Sequence, residues 1–416
     1  MVTDDLTTLR DNLVEQVREN AGGVTAQVYE AFRYVPRHLF LPEAPHEVAY
    51  RDDAIVTKRD ENGQPISSSS QPAMMALMLD QLALAPGQRV LEIGAGTGYN
   101  AALISHLTSP GGAVVTIDID PDLVRQARAN LDRAGYPSVN VECADGAAGF
   151  AALGPYDRII ATVGVWDLAP AWLEQLAPDG RLVVPLDLGG VQRSVAFERQ
   201  DAHWASRSVI PCGFMRLRGS LAGPERTYVL SRDDDLTITV ADGGVPDPGA
   251  ILTALDGPPT VRSTRAAVHP EQILTDLGLW LAIHETRWCA LSESTAAAGQ
   301  RLSSAPLTIQ NTRITVGLRS VDGVAFLAGE SSRPADGAML VHGYGPTGEH
   351  LADQLAAHVS AWDRAGRPGE GLRIRAYPRP RPDSEAATGI IVDKRHHQFV
   401  LSWPTRTTPG PQVARP

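Results

Sequence analysis

Eleven residues, Val90 to Asn100, constrain this chain more than any other stretch: Val-Leu-Glu-Ile-Gly-Ala-Gly-Thr-Gly-Tyr-Asn. Val90, Leu91 and Ile93 make a short apolar run of the kind buried on both faces of a parallel sheet. Gly94, Gly96 and Gly98 fall at every second position, so the backbone can turn tightly and lie close to a ligand. From Tyr99 onward, Ala101, Ala102, Leu103 and Leu107 have helical spacing. A helix N-terminus with free N–H groups therefore faces whatever rests on the glycines.

Glycine spacing narrows the ligand. A dinucleotide loop needs its third glycine one residue later, and a phosphate-binding loop needs Lys where Tyr99 and Asn100 stand. Glu92-x-Gly94-x-Gly96-x-Gly98 is the form associated with S-adenosylmethionine, whose small zwitterionic tail suits close backbone approach. The competing reading is an ordinary strand-to-helix turn, and the next segments weigh against it. Val114–Asp118 is a second apolar strand ending in an acid, 24 positions after Gly94, able to accept both ribose hydroxyls of an adenosine. Val139–Cys143 is a third, followed by Asp145, which can accept from an adenine amino group, and by Gly146. The cofactor set read from this order is Glu92, Gly94, Gly96, Gly98, Tyr99, Asn100, Asp118, Ile119, Asp145 and Gly146.

At 416 residues the chain exceeds one typical domain, so two are expected. No apolar run is long enough for a membrane helix, and the acidic start Met-Val-Thr-Asp-Asp is unlike a signal peptide. Cys143, Cys212 and Cys289 stand apart without metal or redox spacing, so the cytoplasm is the expected compartment. A formal charge of −11 argues against nucleic acid as a partner, since phosphate contacts demand Lys and Arg clusters. The one basic run, Arg373, Arg375, Arg379 and Arg381, is small, and a solvated strand edge explains it as well as a binding patch.

Around the glycine loop the chain carries Pro36-Arg37-x-x-Phe40, Tyr50-x-Asp52, Ser70-Gln71-Pro72, Asp145-Gly146, Pro155-Tyr156-Asp157 and Gly180-Arg181-Leu182-Val183-Val184-Pro185. In this order they resemble the protein-L-isoaspartate O-methyltransferase family, over roughly residues 4–220. The resemblance implies a Rossmann-like class I S-adenosylmethionine-dependent methyltransferase domain that esterifies a carboxyl group. It implies Ser70 as the catalytic residue, orienting the acceptor carboxylate by a neutral hydrogen bond; the alternative is that Ser70 only caps the following helix. The departures are Ser68-Ser69-Ser70 in place of Thr-Ile-Ser, Ala144 before Asp145-Gly146, and Val163-Gly164-Val165-Trp166 after the fourth strand. They surround the expected acceptor position, so Ser68, Ser69, Gln71, Val163 and Trp166 are assigned to substrate binding.

The expected organisation is a methyltransferase domain over 1–240, a linker at Ala241–Gly249, and an accessory α+β domain over 250–416 that recognises substrate. Helices are expected through Ile273–Leu281 and Leu351–Trp362. Strands are expected at Leu307–Val316, Gly323–Leu327, Leu372–Tyr377 and Gly389–Leu401. His396 and His397, adjacent on a strand, face opposite ways and do not read as a metal pair. Repair enzymes of the family mostly end near residue 220. The added length and the altered acceptor side favour methylation of Asp or isoaspartate in a ribosomally made modified peptide, the ester then closing to an aspartimide. General repair of isoaspartyl proteins is the alternative, and a non-catalytic binding protein that kept the fold is the third.

Overall fold

The computed structural model describes residues 2–61, 63–241, 244, 247–309, 311–329, 338–380 and 388–404. Two amphipathic helices open it, α1 (Val2–Ala21) and α2 (Ala26–Tyr34), broken at Gly22 and Gly23, which both take positive φ. A short helix, α3 (His46–Ala49), leads into the hairpin β1 (Ile55–Arg59) and β2 (Pro65–Ser69), a two-stranded sheet of its own. Helix α4 (Pro72–Leu82) starts at Pro72, where a missing N–H costs nothing.

Alternating elements follow: β3 (Arg89–Ile93), α5 (Tyr99–Leu107), β4 (Ala113–Asp118), α6 (Pro121–Arg133), β5 (Asn140–Cys143), β6 (Tyr156–Ala161), α7 (Pro170–Gln175) and β7 (Leu176–Asp187). Strands β5, β4, β3, β6 and β7 lie side by side and parallel, as their two-faced apolar character requires. The antiparallel strands β8 (Gln192–Gln200) and β9 (His203–Cys212) extend this sheet.

A second, antiparallel sheet then forms from β10 (Arg226–Ser231), β11 (Leu236–Val240), β12 (Thr260–Ala267), β13 (Trp288–Ser294), β14 (Leu307–Ile309), β15 (Thr312–Arg319), β16 (Val324–Ala328) and β17 (Ala338–Tyr344). Its helices are α8 (Pro248–Leu255), α9 (Pro270–Leu274), α10 (Asp276–His284) and α11 (Gly348–Arg364). The expected helix over Ile273–Leu281 is two, because Thr275 leaves helical geometry at φ −94°, ψ −91°.

The chain then returns. Strand β18 (Arg373–Pro378) pairs with β9, and β20 (His397–Ser402) and β19 (Ile390–Asp393) complete a ten-stranded first sheet. The expected division at 240/250 is therefore corrected on two counts. Strands β10 and β11 belong to the second sheet, and strands β18, β19 and β20 belong to the first. One buried apolar cluster runs from Leu91 and Trp172 under the first sheet to Trp288, Leu351 and Trp362 under the second, so the two parts share a core. Of the expected linker, Asp242, Gly243, Val245 and Pro246 lie outside the described residues, as does Arg381. Arg375 stands on β18, which is paired on both sides rather than at an edge.

Candidate active site

The three glycines of the loop are required for three different reasons. A methyl on Gly94 would lie 2.9 Å from Thr162 Oγ1, so this glycine lets β3 and β6 end in contact. Gly96, at φ +49°, faces the carbonyl of Ser68 on β2 across the cavity mouth. Gly98, at φ +85°, would press a methyl against Leu131 and the Ala127 carbonyl of α6; it serves helix packing and does not line the cavity.

A cavity of about 730 Å³ opens beside this loop, a volume suited to a nucleoside-sized ligand plus an acceptor group. Its wall includes Glu92, Gly94, Gly96, Tyr99, Asn100, Asp118, Ile119 and Gly146 of the expected cofactor set. At this end Glu92 is buried, its two oxygens accepting from Asn100 Nδ2 at 2.7 Å and Thr116 Oγ1 at 2.6 Å. Burial pushes its carboxyl up to about 7, with Asp118 adding to the rise and the two hydrogen bonds opposing it. Asp118 Oδ2 accepts from Gly96 N–H at 3.2 Å, which pins the loop to the end of β4. Among the described residues, Asn100 Oδ1 and the Tyr99 hydroxyl are buried with no partner, and burial raises the Tyr99 pKa.

Asp145 is not on this wall. Its carboxylate is taken by Ala147 N–H at 3.0 Å and Ser220 N–H at 2.9 Å, with Gly219 packed against it. Burial raises its pKa, but these amide donors outweigh that and hold it below the ordinary value. The expectation that it reaches adenine is corrected accordingly; Ile119, Gly146 and Leu217 form the wall there.

The acceptor end is built by β2 and the turn into α4. Ser67, Ser68, Ser69, Ser70 and Gln71 all line the cavity, with Thr162 and Val163 from the end of β6. Arg37 holds the turn from beneath. Fully buried, it donates to the carbonyls of Ala49 at 3.1 Å, Arg51 at 2.7 Å, Asp53 at 3.0 Å and Ser70 at 3.1 Å, and to Ser69 Oγ at 3.4 Å. The start of α4 is capped from a distance: Asp52 Oδ1 accepts from Ala73 N–H at 2.7 Å and Oδ2 from Gln71 Nε2 at 2.9 Å. The Ser70 hydroxyl makes no hydrogen bond among the described residues, and Gln71, not Ser70, is the residue before the helix. Capping is thus done by Asp52, which leaves Ser70 facing the cavity.

Two straps cross the cofactor end. Lys58 of β1 binds Asp120 at 2.7 Å and Asp122 at 3.0 Å, tying the hairpin to α6. Arg218 lies 3.8 Å from both Asp118 and Asp120 on the other side. Sequence reasoning singled out neither, nor Arg37 as a site residue, although Pro36-Arg37 and Tyr50-x-Asp52 were visible as motifs.

Trp166 is the substrate assignment that fails on position. It lies outside the cavity, packed on Gly223 beneath Lys394 Nζ at 5.1 Å from its ring. Next to it the buried Asp167 accepts from His397 Nδ1 at 3.0 Å and His396 N–H at 2.6 Å. The Trp-Asp pair thus receives the returning C-terminal hairpin, which accounts for Trp166 at the end of the Val163–Trp166 run. Among the described residues, no group of His, Cys, Asp or Glu is placed to hold a metal ion.

These features match the protein-family model described as protein-L-isoaspartate(D-aspartate) O-methyltransferase, over residues 8–221. The chain belongs to that family. It is an S-adenosylmethionine-dependent carboxyl O-methyltransferase. Protein-L-isoaspartate O-methyltransferase 2 of Archaeoglobus fulgidus is 36% identical over 208 residues, covering 49% of this chain and 91% of that one. The protein-L-isoaspartate O-methyltransferase of Thermotoga maritima is 36% identical over 215 residues, 51% of this chain and 67% of that one. A solved structure of a protein-L-isoaspartate O-methyltransferase superposes with a TM-score of 0.51 at 24% identity, covering 95% of this chain and 99% of that one. The likeness in fold thus extends past the family-matched half into the second sheet.

The residues present fit the methyl-donor group. A buried carboxyl near neutrality and, among the described residues, an unpartnered amide oxygen suit a cationic, amine-bearing ligand, and Gly94 and Gly96 present bare backbone to the cavity beside them.

Proposed function

We propose that the protein methylates the free carboxyl of isoaspartyl residues in peptides and proteins, with Ser70 orienting the acceptor. The observation that carries this reading is the unpartnered Ser70 hydroxyl on the cavity wall, fixed by the Arg37 bond to its own carbonyl. When bound, S-adenosylmethionine would supply an electrophilic methyl on sulfonium sulfur, with Glu92, Asn100 and Asp118 as the polar groups that would hold it on the wall beside Gly94 and Gly96. The acceptor carboxylate is already ionised at neutral pH, so no strong base is needed. Ser70 donates one hydrogen bond that aims a carboxylate oxygen without neutralising it, and the apolar wall of Ile66, Met74 and Val163 excludes water. The resulting methyl ester is open to attack by the next backbone nitrogen, which releases methanol and closes a succinimide.

Of the grounds for a dedicated peptide-maturation enzyme, two weaken. The Trp166 departure serves the returning hairpin, and a solved isoaspartate methyltransferase shares the whole fold. What still favours that second reading is that the second sheet's unit contributes to the cavity wall. The test is methyl transfer by full-length protein to paired peptides differing only in Asp or isoaspartate, and to linear and ring-closed forms. Turnover confined to isoaspartyl peptides, linear included, is expected. Equal turnover of the Asp forms removes the isoaspartyl reading, and strong preference for the ring-closed form restores peptide maturation.

A further inference from the structure

Three residues of the second sheet's unit line the cavity described above: Leu274 at the end of α9, Thr275 at the break before α10, and Ile309 at the end of β14. Their placement is firm at its base. The buried Arg193 of β8 donates from Nη2 to the Thr275 carbonyl at 2.7 Å. Gly189, in the turn between β7 and β8, lies against the Ala282 carbonyl of α10, where a methyl would come within 2.8 Å. That contact has no room for a side chain, so α10 is seated directly on the first sheet.

Ile309 reaches the same space from another direction. Among the described residues, strand β14 pairs only with β15 and stands off the path of the second sheet. Its terminal isoleucine is 45% exposed. A single exposed isoleucine is ordinary. This one shares a cavity with Ile66, Met74, Phe214, Met215 and Leu274, all only partly buried. The charged residues on the wall have protein partners: Glu92 its two donors, Asp118 the loop amide, Arg216 the buried Glu225, and Arg218 the Asp118–Asp120 pair.

We infer that Ile309, with Leu274, selects acceptors carrying an apolar side chain beside the isoaspartyl residue. An apolar flank entering this space sheds water against apolar surface. A charged flank loses its hydration there, and against an acidic one the wall offers only Arg216 and Arg218, both already engaged with Glu225, Asp118 and Asp120. The inference rests on the proposed isoaspartyl reaction and deepens it: the second sheet's unit acts as a substrate wall within one composite cleft.

Truncation is not a usable test, because the C-terminal strands complete the first sheet. The experiment uses full-length protein and isoaspartyl peptides that differ only in Leu or Glu on either side of the acceptor. Wild type should favour a Leu peptide in kcat/KM by roughly tenfold, the scale of discrimination that an apolar pocket supplies. Ile309→Lys should invert the order toward Glu, with S-adenosylmethionine affinity unchanged by calorimetry. Ile309→Ser, which adds no charge, should reduce the preference to about threefold and covers the case in which lysine disturbs the fold. Equal turnover of Leu and Glu peptides by wild type, or an unchanged ratio in both variants, overturns this inference alone. Absence of methyl transfer to every isoaspartyl peptide overturns the proposed reaction and the inference with it.

Discussion

Each end of the cavity is built on one buried charge, and the two charges are held differently. Arg37, under the acceptor end, spreads a permanent positive charge over four backbone carbonyls and one hydroxyl from residues 49–53 and 69–70. Its guanidinium does not lose a proton in a protein, so that end keeps one shape at every working pH. Glu92, under the cofactor end, is satisfied by two neutral donors and titrates near 7. The acceptor end is therefore fixed by geometry, while the cofactor end has a charge that a cation can switch on. This suits a reaction in which the cationic donor binds at one end and a neutral hydroxyl aims the acceptor at the other.

The largest expected effect breaks the fixed end. Arg37→Met strips donors from four carbonyls at once and should cost about 4 kcal/mol of stability, within the range for breaking a buried charged network. Denaturant unfolding measures it, and a loss below about 1 kcal/mol would mean that water replaces the guanidinium without penalty.

Glu92 tests the switchable end. Its carboxyl is raised in the folded state from the ordinary 4.5 to about 7, so its stabilising contribution is full below pH 4.5 and lost as pH rises through 7. The loss is on the order of 3 kcal/mol for a shift of this size. Glu92→Gln should flatten that slope, and should also remove any rise in cofactor affinity between pH 5 and 7 (a window taken from the shifted pKa). A slope that persists in the variant places the titrating group elsewhere.

Ser70→Ala should lower kcat for methyl transfer by about 100-fold, as loss of one aimed donor does, with cofactor affinity and unfolding midpoint nearly unchanged. Because Asp52 caps α4, a fall in stability equal to the fall in rate would contradict the orienting role.

The smallest contrast is between two carboxylates once expected to act alike. Asp118→Ala should weaken S-adenosylmethionine binding by about 10- to 100-fold, since it removes acceptors and frees the Gly96 amide. Asp145→Ala should change it by less than about threefold, because Asp145 is spent on Ala147 and Ser220. Calorimetry on both decides whether the loop over 217–220 stays closed when the cofactor is present.

The grouping of the glycine-loop residues on one cavity wall was legible because it is local: β3, the glycine loop and β4 lie within 30 residues, and Gly94 and Gly98 each have a steric reason. Asp145 was misplaced because its partner, Ser220, lies 75 positions away. Arg37 was visible in a motif, but nothing in local sequence says that an arginine will be wholly buried. The second half was readable as elements, including α11, β16 and the turn at Asp322-Gly323, where Ser320 N–H bonds the Gly323 carbonyl. Its sheet membership was not, because alternating strands state which face is apolar and leave the neighbouring strand unnamed.

The pairing of β18 with β9 also has a consequence for how the protein is made. The Ile374 amide bonds Ser206 Oγ across 168 positions of chain. At ordinary rates of synthesis, that interval lasts on the order of 10–30 s. Throughout it the nascent first sheet ends in a bare edge at β9, able to recruit strands from other unfinished chains. The first sheet thus gains its last three strands only after the second sheet's residues have been synthesised, and until then β9 is the edge that a strand from another unfinished chain could occupy.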